Sequence, residues 1–133
     1  MDDDQVRDAI GTMVDAVNRG DFATAASSFR SQPSIIEDLP PFRWDGPSAV
    51  GDWLTAMGAN AATLKASAIE MKLGEAKQIE VSAGRSYACF CGTLRMATAA
   101  GELSADGTLT FVLVKEANHW LIDTLVWGGS RPE

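Results

Sequence analysis

Clusters of basic residues are missing from this chain, and so are long apolar runs, histidines beyond one and cysteines beyond two. Eleven Lys and Arg stand against eighteen Asp and Glu, a formal net charge of −7, and the cations are scattered. Such a surface repels phosphate backbones and anionic headgroups, so neither nucleic acid nor a membrane is expected as a partner. The longest apolar runs, such as 111–114, fall far short of the roughly 20 residues that a membrane-spanning helix needs. His119 alone, with Cys89 and Cys91 two residues apart on one strand, does not supply the three or four converging ligands of a metal site, so none is expected. The same two-residue spacing puts both thiols on one face at the far limit of disulfide reach, and both are expected reduced. Neither a glycine-rich phosphate loop nor a nucleophile elbow is present. The acidic start, Met-Asp-Asp-Asp, has the wrong charge for a presequence, so a cytoplasmic location is expected.

What is present is a chain of 133 residues without internal repeats, 46% hydrophobic, with four Trp and five Phe. One globular domain over 1–133 is expected. Val6, Ile10, Met13 and Val17 recur at helical spacing behind Asp2, Asp3 and Asp4, and Gly20 supplies a stop. Asp21 can cap a short second helix with Phe22, Ala25, Ala26 and Phe29 on one face, ending before Pro33. A third helix is expected from Gly46-Pro47, with Val50, Trp53, Leu54 and Met57 on one side and Gly58 as its end.

After Lys65 the period changes from helical to alternating. Ile69, Met71 and Leu73 alternate, as do Ile79 and Val81; 87–96 reads as a long strand in which Gly92 marks a bend or close packing. Asp106-Gly107 reads as a turn, 109–114 as a nearly continuous apolar strand, and Ala117-Asn118 as the turn into a last strand over 120–127. Helices followed by strands indicate an α+β fold: three N-terminal helices packed in the concave face of a curved antiparallel sheet.

Segment 34–47 carries the chemistry. Glu37 and Asp38 stand where an apolar strand runs into a Pro-rich, aromatic turn containing Leu39, Phe42 and Trp44. A carboxylate held against those side chains loses hydration, which raises its pKa towards the range useful for proton transfer. Asp38 is the expected inward acid, and Glu37, opposite to it by strand alternation, the solvated one. The plain alternative is Asp38 capping a turn or pairing with Arg43. Asp123, on the last expected strand, can face water or pair across the sheet. Met13, Val17, Trp44, Trp53, Phe90, Thr110 and Trp127 are the candidate walls of the cavity, and His119 is expected at an exposed hairpin.

Five segments occur in a telling order: Ala-Val-Asn-Arg-Gly-Asp at 16–21, Ser-Ile-Ile-Glu-Asp at 34–38, Trp-x-Gly-Pro-x-Ala-Val-x-x-Trp at 44–53, Thr-Phe-Val-Leu-Val-Lys at 110–115 and the ending from Trp120 and Ile122 to Trp127. In this order the chain resembles the nuclear transport factor 2-like superfamily, and within it the SnoaL-like small proteins. The resemblance covers nearly the whole chain. It implies an α+β cone with a deep pocket between helices and sheet, and a homodimer formed through the sheet. Its members include ketosteroid isomerase, polyketide cyclases, limonene epoxide hydrolase and scytalone dehydratase, none of which implies a cofactor here.

Carried over residue by residue, the isomerase's general base falls on Asp38 and its last-strand pocket tryptophan on Trp127; Asp123 shares the strand parity of Trp127, so the resemblance makes it the second candidate acid. Its oxyanion-hole tyrosine falls on Met13, and its protonated oxyanion aspartate near Thr110. Neither replacement is a strong donor, so steroid isomerisation by that route is not expected; loss of one such donor costs roughly 3–4 kcal/mol of barrier. The arginine of the hydrolase and the two pocket histidines of the dehydratase also lack counterparts. The expectation is a pocket for an apolar small molecule, serving either a cofactor-independent isomerase, lyase, cyclase or hydrolase with Asp38 as general base and Asp123 as proton donor, or a non-catalytic binding or interaction module. Because Leu109, Phe111 and Leu113 alternate with Thr110, Val112 and Val114, both faces of that strand are apolar. One is expected to meet a second subunit, with Phe111 as the residue to test it.

Overall fold

The computed structural model describes residues 2–129. Helix α1 (Asp2–Arg19) turns Val6, Ile10, Met13, Val14 and Ala16 inward and carries three aspartates in its first turn. That charge placement favours the helix dipole. Gly20, at φ +73, takes the left-handed turn that ends it. Asp21 then caps α2 (Phe22–Ser27) through hydrogen bonds from the Thr24 backbone N–H and hydroxyl, which hold its carboxyl below the usual range. Of the expected apolar face of α2, Ala25 is buried within the helix and Phe22 and Ala26 are exposed, while Phe29, also buried, opens β1 (Phe29–Ile36).

Between β1 and the third helix lies β2 (Arg43–Asp45), paired antiparallel with β1, where the sequence suggested only a turn. Three residues carry too little alternation to be read as a strand. Helix α3 (Ala49–Thr63) runs through Gly58, which faces open space, and stops at Leu64 and Lys65, the latter at φ 56. An exposed glycine costs a helix roughly 1 kcal/mol against Ala and does not by itself end one.

The rest of the described chain is a meander: β3 (Ala66–Ser82), β4 (Arg85–Thr98), β5 (Gly101–Glu116) and β6 (His119–Gly129). The two alternating runs read from the sequence are halves of β3, joined by register shifts between Leu73 and Gln78. Asp106-Gly107 lies inside β5, where Gly107 pairs with Gly92 of β4, so the expected turn there is absent. Ala117 and Asn118, both at positive φ, form the β5–β6 turn as expected.

All six strands form one sheet in the order β2-β1-β6-β5-β4-β3. The sheet is mixed, because β1 pairs parallel with β6. The expected all-antiparallel sheet fails at this single seam: the connection through β2 and α3 frees β1 from hairpin geometry, and the meander returns β6 in the direction of β1. The inner face, including Phe90, Leu109, Phe111, Leu113 and Leu125, closes over Ile10 and Met13 of α1 and Trp53 of α3. Phe90 and Phe111 meet edge to face, 6.2 Å between centroids. Asn18 fastens α1 to β3: its amide donates to the Met71 carbonyl and accepts from the Met71 N–H, each at 2.8 Å. No helix in the described residues is long and apolar enough to cross a membrane.

Gly92 and Gly107 open the sheet to the ring of Trp127. A Cβ on Gly92 would lie 2.9 Å from Leu109 Cδ1 and 3.2 Å from Trp127 Cζ3, whereas one on Gly107 would collide with the Gly128 carbonyl oxygen. Side chains can yield but paired backbone cannot. Gly107→Ala is therefore expected to cost about 1–3 kcal/mol, and Gly92→Ala less, by urea denaturation. Equal losses would refute the assignment.

Candidate functional site

A cavity of about 340 Å³ lies between α3, the end of β1, β6 and the far halves of β3 to β5. Leu39, Met57, Ile69, Leu94, Met96 and Trp127 give it walls of hydrocarbon, thioether and indole. Its polar groups are Glu37, Asp38, Asn60 and Ser104. The size and the mostly apolar walls suit a small organic molecule.

Two acids enter it from the turn after β1, which is held in place by hydrogen bonds from the Phe42 N–H to the Leu39 carbonyl and from the Glu37 N–H to the Phe42 carbonyl. Glu37 is 6% exposed, and Asp38 stands exposed at the mouth. This reverses the order expected from the sequence. Ile35 is fully buried and Glu37 continues its parity, so strand alternation sends Glu37 inward. The adjacent Ile35 and Ile36 hid the parity, since either could have been the inward residue. The indole N–H of Trp53 donates to Glu37 Oε1 at 3.0 Å. Oε2 receives no hydrogen bond from the described residues.

Burial pushes the Glu37 carboxyl above its usual range, and the charge of Asp38 adds to the rise, while the Trp53 hydrogen bond opposes it. Asp38 lies against β6, where Gly129 leaves it room: a Cβ there would stand 3.0 Å from Asp38 Oδ2 and 3.7 Å from Trp127 Nε1. Arg43 pairs with Asp45, not with Asp38.

Of the seven expected wall residues only Trp127 lines this cavity. Met13, Trp53 and Phe90 are core residues, Val17 and Trp44 pack against or within that core, and Thr110 faces outward, its hydroxyl 3.6 Å from the Cys89 sulfur. Trp53 acts behind the wall, through Glu37. Asp123 is also elsewhere: its Oδ1 accepts from Arg30 Nη1 at 2.7 Å, while Arg30 Nε donates to Glu116 at 2.9 Å. These hydrogen bonds raise the pKa of Arg30. The cause of the displacement is a bulge. Val112 pairs with Thr124 and Leu113 with Ile122, so Asp123 is an extra residue that breaks the parity linking it to Trp127.

Sequence reasoning missed Met57, Asn60, Ile69 and Met96 as lining residues. Ile69 and Met96 reach the cavity through sheet curvature, for which the alternating pattern carries no signal, and Asn60 lies on α3 beyond the Gly58 where that helix was expected to end. His119 is exposed at the β5–β6 turn, as expected. Among the described residues no three His, Cys, Asp or Glu side chains come together in a way that could hold a metal ion.

No family model matches the sequence, and no curated protein sequence matches it. Solved structures do. A nuclear transport factor 2-like superfamily protein from Salmonella enterica superposes with a TM-score of 0.79 at 19% identity, over 97% of this chain and 91% of that one. The hexachlorocyclohexane dehydrochlorinase LinA-type3 from Novosphingobium barchaimii gives 0.80 at 12% identity, over 98% and 87%. A protein of unknown function from Mycobacterium tuberculosis gives 0.78 at 16% identity, over 96% and 71%. Helices gathered in a curved, open sheet and these superpositions together give the chain the nuclear transport factor 2-like fold.

Proposed function

We propose that the cavity binds an apolar small molecule and transfers a proton on it without a cofactor, with Asp38 at the mouth as general base and Glu37 behind it as proton donor. The observation that carries this reading is Glu37 itself: a carboxyl 6% exposed, fixed through one oxygen by Trp53 and lining an apolar cavity beside a second carboxylate. Buried acids without a cationic partner are costly, and sites that move protons are where proteins keep them. A structural neighbour is named as a dehydrochlorinase, so one protein of this fold carries elimination chemistry. The reaction classes that fit are isomerisation and elimination.

A direct test uses 5-nitrobenzisoxazole, an apolar bicycle that opens to a coloured phenolate when a base removes its ring proton. Saturable turnover is expected, falling by about 100-fold or more in Asp38→Asn. Saturable binding with no turnover would favour the binding module instead. That second reading has its own support, since the side chains at the isomerase's donor positions, Met13 in the core and Thr110 on the outer face, offer the cavity nothing.

Glu37 also predicts a pH dependence of stability. Its folded-state pKa lies above the unfolded value, so the folded chain holds the proton more tightly, and stability falls as pH rises from the ordinary glutamate range through the raised one. Glu37→Gln removes this loss while keeping an oxygen for Trp53. The variant is expected to melt higher than the parent at alkaline pH and close to it at pH 4, in thermal scans across that range. Parallel pH profiles would overturn the assignment.

The proposal includes a second copy of the chain on the outer face of the sheet. Tyr87 is 42% exposed there, and Val112, its partner across β4 and β5, is half-buried. Apolar side chains left on an outer sheet face are what an isologous partner would cover.

A further inference from the structure

Among the described residues the charge on the walls of the cavity is of one sign only. Its titratable groups among the described lining residues are Glu37 and Asp38; α3 contributes Met57 and Asn60, β3 Ile69, β4 Leu94 and Met96, β5 Leu103, Ser104 and Ala105, and β6 Trp127, with no Lys, Arg or His among them. Glu37 is 6% exposed, and its Oε2 is without a hydrogen-bond partner among the described residues. Building on the apolar-pocket reading, we infer that the ligand is a hydrocarbon body carrying a basic nitrogen, which enters as a cation and sets its N–H between Glu37 and Asp38.

The physical argument is complementarity of both parts. A carboxylate or phosphate group on the ligand would meet two acids and, among the described residues, no cation within a recess of mostly apolar walls, a juxtaposition that disfavours anionic amphiphiles. A neutral alcohol satisfies one carboxyl oxygen. An ammonium group satisfies the unpartnered Oε2 of Glu37 and reaches the Asp38 carboxylate with charge-assisted hydrogen bonds, which are about twice as strong as neutral ones. The flat indole of Trp127 and the thioethers of Met57 and Met96 suit a rigid, polarisable body. Binding a cation favours the ionised form of Glu37, so uptake of the ligand releases a proton and its affinity rises with pH while the amine stays protonated.

Three probes share one body and differ in charge: 2-naphthylmethylamine, 2-naphthylmethanol and 2-naphthoate. By titration calorimetry on the full chain, the amine is expected to bind about tenfold more tightly than the alcohol, with no binding of the naphthoate. In Glu37→Gln, checked for folding by circular dichroism, the preference for amine over alcohol is expected to shrink to about twofold. Ala105→Trp, which fills the cavity from β5, is expected to abolish binding of both. If the alcohol binds as tightly as the amine, the inference of a cationic ligand fails and the apolar pocket stands. If none of the three binds, the pocket reading fails as well. Amine binding that survives Ala105→Trp would place the cation on the acidic exterior and overturn the assignment.

Discussion

Phe111→Glu is expected to leave no folded protein at 25 °C, whereas Val112→Glu, one residue along the same strand, is expected to fold and to differ only in its association. Phe111 is fully buried on the inner face of β5, in edge-to-face contact with Phe90. Removing a core Phe costs about 3–5 kcal/mol, and an uncompensated carboxylate adds several more. Their sum reaches the roughly 5–15 kcal/mol of a whole domain. Phe111 therefore cannot report on the subunit contact for which the sequence nominated it. Val112 faces the other way, beside Tyr87, and a charge there meets water in a single chain or a second copy in a dimer. Far-UV circular dichroism and size exclusion separate the cases. A folded Phe111→Glu would overturn the placement of the core, and a Val112→Glu protein with the parent's elution volume would remove the dimer from the proposal.

The pair illustrates which parts of the fold were legible in the sequence. Period and end signals in α1 were strong, with Val6, Ile10 and Met13 on one face and Gly20 after them, and that helix is where the pattern put it. The segment order that led to the nuclear transport factor 2-like fold was likewise legible, because it needs no knowledge of which face is inner. Parity was not legible. Ile35 and Ile36 are both apolar, as are Phe111 and Val112, and in such runs only the helices decide which residue turns in. At Asp123 even a correct count fails, since one bulged residue of β6 carries it to Arg30, 93 positions away in sequence. The acidic turn was found as a pair, and the wrong member was assigned to the interior.

The acid that does lie inside leads to the second large effect. Trp53→Ala is expected to destabilise the chain by about 3–5 kcal/mol, since a fully buried Trp is removed. Trp53→Phe keeps most of the volume and removes the indole N–H with two ring carbons, so it leaves Glu37 Oε1 unsatisfied, about 1–3 kcal/mol, and adds a smaller cost for the gap beside the ring. The lost hydrogen bond had favoured the ionised carboxyl, so Trp53→Phe also raises the Glu37 pKa further and shifts the pH dependence of stability upward. Replacing both partners by hydrocarbon separates fold from function. In Trp53→Phe combined with Glu37→Leu no polar group remains unpaired, and stability is expected to return to within about 1 kcal/mol of the parent. Such recovery in urea denaturation, together with loss of amine binding, would mean that the acid is kept for what enters the cavity. A double variant no more stable than Trp53→Phe alone would instead make the Trp53–Glu37 contact a structural element of the core and remove the main support for a functional acid at this position.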